Sequence, residues 1–386
     1  MNIKASPDQE RLIREFQEIL GVEWVNKQLE RFYKERDKSK KYNDRGKEFG
    51  TIISLLGNVI PTLGSDKTDE WSLLRLCYIA NNVTSASNAF CNGVDEKIEK
   101  LKTLDTTQEN STLYEFVSAS ILLSLGHKVD FIAEVKGEKR PDLLVDGCVE
   151  VECKQRGKTQ VELIQDAVWN QLYPQVQKIF HRKKQSAMIE VFSDKELVNN
   201  TDIKKIVGFL KKVEPGKLIR EEIDSVHVVV SPIDVIDSPY GIQADTPDPQ
   251  FPSAFHRVEM LFHKGPSGVT PNSGFFLECL FGGSTLRGRE EGIKDRLRSA
   301  KKQVSGSNPA IVFIDLRLKI NRRNSIDLSP AVNAIDNWMK QNTSLAAVIL
   351  TTPIETKTNE GNTVGHHIIS RLHDSPKVRL PSDFRL

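Results

Sequence analysis

Hydrophobic residues recur at three- and four-residue spacing over roughly the first hundred positions of the chain. Segments such as QERLIREFQEIL (9–20) and WVNKQLERFYKERDK (24–38) show the pattern of helices with one apolar face. The segment LDTTQENST (104–112) interrupts that pattern with Thr, Asn and Asp, which favours a boundary there. We therefore predict a helical N-terminal region over residues 1–108.

Strand-like and helical patterns alternate beyond this region. TLYEFVSASILLSLG (112–126) carries apolar residues on one helix face and ends at a glycine. Three strand-like runs, a long helix interrupted by a proline and the run SAMIEVFS (186–193) follow, which defines a predicted core over 109–195. Further strands and helices fill 196–386, as a continuation of the same sheet or a second domain. The alternation predicts an α/β protein in which helices flank a mixed sheet.

The run RPDLLVDGCVEVECK (140–154) has the alternation of a β-hairpin around an Asp-Gly turn. Glu152 and Lys154 share one face, because a strand alternates faces with period two. A two-residue loop would send the Asp142 carboxylate to the opposite face, whereas a three-residue loop over 146–148 would place Asp142 opposite Glu152. A slip of one residue flips every side chain, and the residues alone leave both registers open.

Two carboxylates placed opposite each other repel unless a cation lies between them. Mg²⁺ suits such a pair, because it keeps several waters and takes only one or two protein carboxylates. It lowers the pKa of a bound water and draws charge from a phosphoryl oxygen. Lys154 would orient or deprotonate the attacking water, or stabilise charge on the phosphate. The alternative is an ordinary solvated sheet face, and Glu150 is expected to be exposed or to lie behind the metal ligands.

The Pro-Asp dipeptide, a spacing of ten positions to Glu152 and the Glu-Cys-Lys ending resemble the PD-(D/E)xK nuclease signature over residues 110–195. The resemblance implies a restriction-endonuclease-like fold and Mg²⁺-dependent cleavage of DNA, with Mn²⁺ able to substitute. It makes Asp142 and Glu152 metal ligands, Lys154 the catalytic lysine, and Glu115 an additional acidic residue that completes the metal site. The chain departs from members that carry a Gln-xxx-Tyr pair on the following helix, since Trp stands in place of Tyr.

Glu115 also has an alternative interpretation, in which Thr112 and Glu115 form a capping box at the start of a helix. The function expected from the resemblance is that of an endonuclease of restriction or defence type. A non-catalytic nucleic-acid- or protein-binding module that retains the fold, and a nuclease acting on RNA, are the alternatives. Because cutting both strands of a duplex takes two active sites or two turnovers, a homodimer is one expectation.

The amino-acid composition excludes few classes of protein. The chain has 54 basic and 52 acidic residues, a net charge of +2, and 38% hydrophobic residues, so it is no globally basic nucleic-acid coat. Its odd number of cysteines without CxxC spacing favours reduced thiols, and the absence of a signal or long apolar run predicts a cytoplasmic protein without membrane contact. Basic residues expected to contact the DNA backbone are Arg182, Lys183, Arg287 and Arg289.

Overall fold

The computed structural model describes residues 2–38, 45–103, 105–135, 137–155, 171–176, 178–179, 182, 187–193, 200–214, 218–224, 226–232, 234–238, 241–245, 259–264, 271–281, 285–316, 328–358 and 361–386. The chain divides into two compact units, one formed by Met1–Arg156 with Ile293–Leu386 and the other by Gly157–Gly292. Both combine sheets with helices, which confirms the predicted α/β class. Among the described residues, no helix has the length and apolar character needed to cross a bilayer.

The N-terminal part of the first unit is helical, as predicted. Its elements are β1 (Asn2–Ile3), α1 (Pro7–Leu20), α2 (Val22–Lys38), α3 (Arg45–Val59), a 3₁₀ turn (Ile60–Thr62), β2 (Thr68–Asp69), α4 (Glu70–Asn88), α5 (Val94–Leu101) and α6 (Thr106–Ser124). Ser6 and Gln9 form a capping box that starts α1, with proline in the first turn. The helices bury one continuous hydrophobic core together with one face of the sheet.

The break predicted over 104–112 is wrong in its extent. Helix α6 already begins at Thr106, because the Asp105 side chain accepts hydrogen bonds from the N–H groups of Thr107 and Gln108. The buried Glu109 in its first turn binds the backbone of α3 instead of solvent. Polar residues that suggest a loop therefore belong to the helix and to its contacts.

Among the residues that the structure describes, six strands form the sheet of the first unit, in the order β15-β14-β13-β5-β4-β3. The strands are β3 (Val129–Phe131), β4 (Leu143–Val145), β5 (Val149–Gln155), β13 (Ala310–Asp315), β14 (Ala347–Thr358) and β15 (Gly361–Leu372). β13 pairs in parallel with β5 and β14, and the outer pairs are antiparallel, so the sheet is mixed. β5 is central and is buried along its first five residues. The C-terminal segment, with α9 (Ser329–Lys340), thus completes the sheet that the hairpin begins.

The described part of the second unit contains a five-stranded sheet, in the order β11-β12-β6-β8-β7, and a separate pair, β9-β10. Its elements are β6 (Ala187–Ser193), α7 (Asn200–Lys212), β7 (Ile219–Ile223), β8 (Val226–Pro232), β9 (Asp234–Ser238), β10 (Gly241–Asp245), β11 (Glu259–Lys264) and β12 (Pro271–Phe281). Helix α8 (Thr285–Lys301) runs across the boundary to the first unit.

The two units divide the chain differently from the three predicted segments, 1–108, 109–195 and 196–386. The strand predicted at 186–193 exists as β6, but it pairs with β12 and β8 and not with the hairpin. The physical reason is the parallel pairing of β5 with β13, which brings together segments on either side of Gly157–Gly292. Most of the long helix predicted after the hairpin lies outside the described residues, although residues 171–176 are helical.

Candidate active site

The hairpin β4–β5 has the register that the metal-site hypothesis requires. Leu144 pairs with Glu150, and the neighbouring pairs leave a three-residue loop over 146–148. Continued by one position beyond β4, this register sets Asp142 opposite Glu152. The three-residue loop is therefore confirmed, and the two-residue alternative is wrong.

The loop is fixed by its first residue and by contacts outside the hairpin. Asp146 and Gly147 both have positive φ angles, 50° and 70°, which an Asp-Gly sequence tolerates better than most. The Asp146 carboxylate accepts a hydrogen bond from the Lys128 N–H at 2.9 Å and contacts His127 Nδ1 at 2.7 Å. The His127 ring stacks on Phe384 with 4.2 Å between ring centroids. The C-terminal segment thus packs against the turn that sets the register.

Asp142 is held by backbone groups of both neighbouring strands. Its Oδ2 accepts a hydrogen bond from the Cys153 N–H at 2.7 Å, and its carbonyl oxygen accepts one from the Ile132 N–H at 2.9 Å. Burial raises the pKa of Asp142 more than the Cys153 N–H and the nearby lysines lower it. The carboxylate is therefore tied to β5, beside Glu152, and its ionised form is disfavoured.

Glu152 is fully buried on the central strand, with 0% of its surface exposed. Its carboxylate contacts the Lys154 ammonium group, but neither oxygen has a hydrogen-bond donor in suitable geometry among the described residues. Burial, and then the charge of Asp142, raise the pKa of Glu152 to about 8, against the lowering effect of Lys154. The oxygens of Glu152 therefore have unused capacity to bind a cation, which would displace the proton that burial favours.

Lys154 lies next to Glu152 on the same face of β5, as the alternation predicts. Its ammonium group contacts Glu152 and donates a hydrogen bond to Gln303 Oε1 at 2.5 Å. Gln303 stands in the turn after α8, 149 positions away in the sequence. Nothing in the sequence points to this residue, because the parallel pairing of β5 and β13 is what brings that turn to the hairpin.

Glu115 enters the site from helix α6. It lies in the third turn of that helix and is buried, so the capping-box prediction with Thr112 is wrong. Burial and then the charge of Asp142 raise the pKa of Glu115 to about 7, in spite of an ion pair with Lys97. The charges of Asp142 and Glu115 also raise the pKa of Glu152, so the three carboxyl groups influence one another electrostatically.

Lys97 of helix α5 is the partner of Glu115, a contact that was not predicted from the sequence. Its Nζ lies 2.5 Å from Glu115 Oε2, outside the angles of a regular hydrogen bond. Only 1% of Lys97 is exposed. A signal was present in the sequence, because Lys97 shares the helix face of the apolar residues Val94, Ile98 and Leu101, all of which are buried.

No family model, no curated protein and no solved structure matches this chain. The resemblance to PD-(D/E)xK nucleases therefore stays a prediction that rests on the hairpin residues and their geometry.

Glu150 has a structural role that differs from the expected one. The residue is buried, and its carboxylate accepts hydrogen bonds from the Ser305 N–H at 2.7 Å and from Asn308 Nδ2 at 3.2 Å. The prediction that it is exposed is wrong, because β5 is a central strand covered on both faces. Glu150 anchors the segment before β13 and supplies no part of the carboxylate cluster.

The donor set suits a hard cation held by few protein groups. Within the described residues, no three His, Cys, Asp or Glu side chains are close enough to hold a metal ion by themselves. Mg²⁺ needs no such cage, because it is commonly bound through one or two carboxylates, with water and substrate oxygens completing its shell. Asp142 and Glu152 offer such a pair, and apart from the contact with Lys154, neither oxygen of Glu152 accepts a regular hydrogen bond from the described residues. The residues therefore fit Mg²⁺ or Mn²⁺ better than Zn²⁺, which prefers nitrogen and sulfur ligands.

The candidate DNA contacts stay predictions. Arg182 is exposed in the described part of the second unit. Lys183 lies outside the described residues, as do the side chains of Arg287 and Arg289, whose backbone belongs to α8.

Proposed function

We propose that this chain is a Mg²⁺-dependent nuclease that hydrolyses phosphodiester bonds in DNA, as an endonuclease of restriction or defence type built on a restriction-endonuclease-like sheet. The observation that carries the proposal is the placement of Asp142 opposite Glu152 on the hairpin, with Lys154 against Glu152. The alternating pattern and the three-residue loop produce this placement.

The cost of the cluster supports a functional role. Burial disfavours the ionised forms of Glu115, Asp142 and Glu152, as their raised pKa values indicate. Well-packed apolar residues would stabilise a sheet and helix interface at least as well. Clusters of strongly perturbed titratable groups are concentrated at functional sites, where the perturbation serves chemistry.

Each residue of the site has a role in this proposal. Asp142 and Glu152 hold the divalent ion, which when bound neutralises charge on the scissile phosphate and makes water a better nucleophile. Lys154 orients the attacking water or stabilises the charge that develops on the phosphate. Gln303 restrains the Lys154 ammonium through its hydrogen bond, so that the lysine keeps its direction while Glu152 binds the ion.

The test is cleavage of supercoiled plasmid, single-stranded DNA and RNA by the full chain in Mg²⁺ or in EDTA. We expect cutting of DNA in Mg²⁺ only. Asp142→Asn, Glu152→Gln and Lys154→Met should each lower the rate by about 10²-fold or more, with DNA binding retained. Glu221→Gln, an exposed change on β7, is the charge-matched control and should cut normally.

Three outcomes would change the proposal. Cutting that persists in EDTA or in Glu152→Gln would exclude this site as its source. Cutting of RNA alone would make the chain a ribonuclease. DNA binding by the folded wild type without cutting in Mg²⁺ or Mn²⁺ would instead support a non-catalytic binding module.

A further inference from the structure

Lys97 carries an ammonium group into the interior of the first unit, with 1% of the residue exposed. Fully buried lysines are rare, and those that occur are paired with acidic groups. Lys97 faces Glu115 directly, and the charges of Asp142 and Glu134 also act on it. Burial alone would lower the pKa of Lys97, but these negative charges outweigh it and hold the pKa above its ordinary value. The lysine is therefore a fixed positive charge inside the core.

Packing alone does not require a charged residue at position 97. The neighbouring positions on the same helix face, Val94, Ile98 and Leu101, are apolar and pack in the core. A residue such as Leu or Met at position 97 would extend that apolar face and would need no buried acidic partner. The same holds for Glu115 among the buried residues of α6. The two charges occur together and next to the hairpin carboxylates, which points to a role in the site.

The charges of the cluster limit how many cations it can take. Glu115, Asp142 and Glu152 bring three negative charges when ionised, and Lys97 and Lys154 bring two positive ones. Glu134 and Lys100 add no net charge, because they pair with each other at 3.0 Å. One divalent ion turns the remaining single negative charge into a single positive one. A second would leave a strong positive charge in a buried place, which low dielectric surroundings penalise severely.

We propose that Lys97 is a positioning residue that acts as a permanent cation beside Glu115, so that the site binds a single divalent ion, at Asp142 and Glu152. Glu115 is then the partner of Lys97 and no ligand of the ion. This inference rests on the proposed function, since it concerns the ion at the same site. It deepens that function by fixing the number of ions and by giving Glu115 and Lys97 defined roles.

The experiment measures Mn²⁺ binding to the folded full chain by the loss of the free-ion EPR signal, beside DNA cleavage and circular dichroism. The wild type should bind one ion. Glu115→Gln leaves the Lys97 charge uncompensated and should weaken Mn²⁺ binding by about tenfold or more. The double variant Lys97→Met/Glu115→Gln removes both charges and should bind one ion within about threefold of wild-type affinity. Lys97→Met alone should bind Mn²⁺ more tightly or take a second ion.

The matched control is Lys102→Met, which changes a lysine that follows the same helix and pairs with Glu99 away from the carboxylates. It should bind one ion with wild-type affinity. The double variant decides the issue even if Lys97→Met does not fold, because it contains no unpaired buried charge.

Contrary results separate the inference from the proposed function. A double variant that binds as weakly as Glu115→Gln would show that Glu115 is itself a ligand, and would overturn the inference. A wild type that cuts DNA with two bound ions would also overturn it, while the nuclease proposal would stand. A wild type that neither binds Mn²⁺ nor cuts would overturn both.

Discussion

The Asp142 carboxylate accepts a hydrogen bond from the backbone N–H of Cys153 at 2.7 Å, and Cys153 directly follows Glu152. This bond crosses the hairpin and keeps two acidic side chains at the same level of the sheet. Their closeness is therefore built into the backbone register, where a change of loop length would abolish it. Such an arrangement is costly for stability and useful for binding a cation.

Replacing Glu152 by Gln should stabilise the metal-free protein while it lowers the cleavage rate by about 10²-fold or more. The pKa of Glu152 in the folded protein is about 8, above the ordinary value of 4.5. Between these two pH values the folded protein keeps the proton on the Glu152 carboxyl group, whereas the unfolded chain has released it. The stabilisation from the protonated form is complete below about pH 4.5 and is lost as the pH rises through about 8. At pH 9 we therefore expect Glu152→Gln to raise the free energy of unfolding by about 1–2 kcal/mol, measured by urea denaturation.

The stability gain of Glu152→Gln should shrink towards pH 5. The control is Glu150→Gln on the same strand, which removes a charge bound to Ser305 and Asn308 and should lower stability at both pH values. A Glu152→Gln protein that is less stable than the wild type at pH 9 would contradict the account.

Replacing Gln303 by Leu should slow cleavage without weakening DNA binding. The change removes the hydrogen-bond acceptor of the Lys154 ammonium group and leaves that charge free to reorient. Loss of one hydrogen bond to a charged group corresponds to about 1.5–3 kcal/mol, hence to a rate lowered by about 10- to 100-fold. Single-turnover cleavage and a binding titration in Ca²⁺ separate the two effects. Gln341→Leu, in the turn after α9, is the control, and an equal loss in both variants would refute a specific role of Gln303.

Replacing Glu109 by Ala should destabilise the first unit without a direct effect on chemistry. Its carboxylate accepts hydrogen bonds from the Thr51 N–H at 2.6 Å and the Ile52 N–H at 2.9 Å, where α3 is interrupted at Gly50. Loss of this buried cap should cost about 2–3 kcal/mol of unfolding free energy in urea denaturation. The exposed Glu99→Ala should change it by less than about 0.5 kcal/mol. Equal, small changes in both variants would show that the cap contributes nothing.

The sequence predicted the hairpin, its acidic pair and most elements of the first unit. Strand alternation and the Asp-Gly turn are local signals, and they act over the ten positions that separate Asp142 from Glu152. The register itself stayed open, because it depends on contacts of Asp146 with His127 and Lys128 that no local pattern encodes.

The remaining parts of the site depend on tertiary contacts. Gln303 reaches Lys154 only because β13 pairs in parallel with β5, although residues 157–292 separate the two strands in the sequence. The polar residues over 104–112 predict a boundary and not the start of a helix, since the burial of Glu109 against α3 is not visible in the sequence. The position of Lys97 on an apolar helix face is a local signal of its burial, but its contact with Glu115 is not visible in the sequence.

His366 should make stability fall in mild acid. Burial lowers the pKa of this residue to about 4, and Tyr78 lies 2.6 Å from its Nδ1. The unfolded chain takes up a proton near pH 6.5 and the folded protein only near pH 4, so stability is complete above about pH 6.5 and is lost as the pH falls to about 4. We expect His366→Gln to remove about 1–3 kcal/mol of the pH-dependent loss in urea denaturation. The exposed neighbour His367→Gln should leave the loss unchanged, and equal behaviour of the two variants would contradict this assignment.

The most direct test of the acidic pair is the anomalous scattering of Mn²⁺ in crystals of the wild-type chain. One peak should lie about 2.2 Å from carboxylate oxygens of both Asp142 and Glu152, and it should be absent in Glu152→Gln. Crystals that hold Mn²⁺ only at other places, with the carboxylates of Asp142 and Glu152 not in contact with it, would contradict the proposal that these two residues bind the ion.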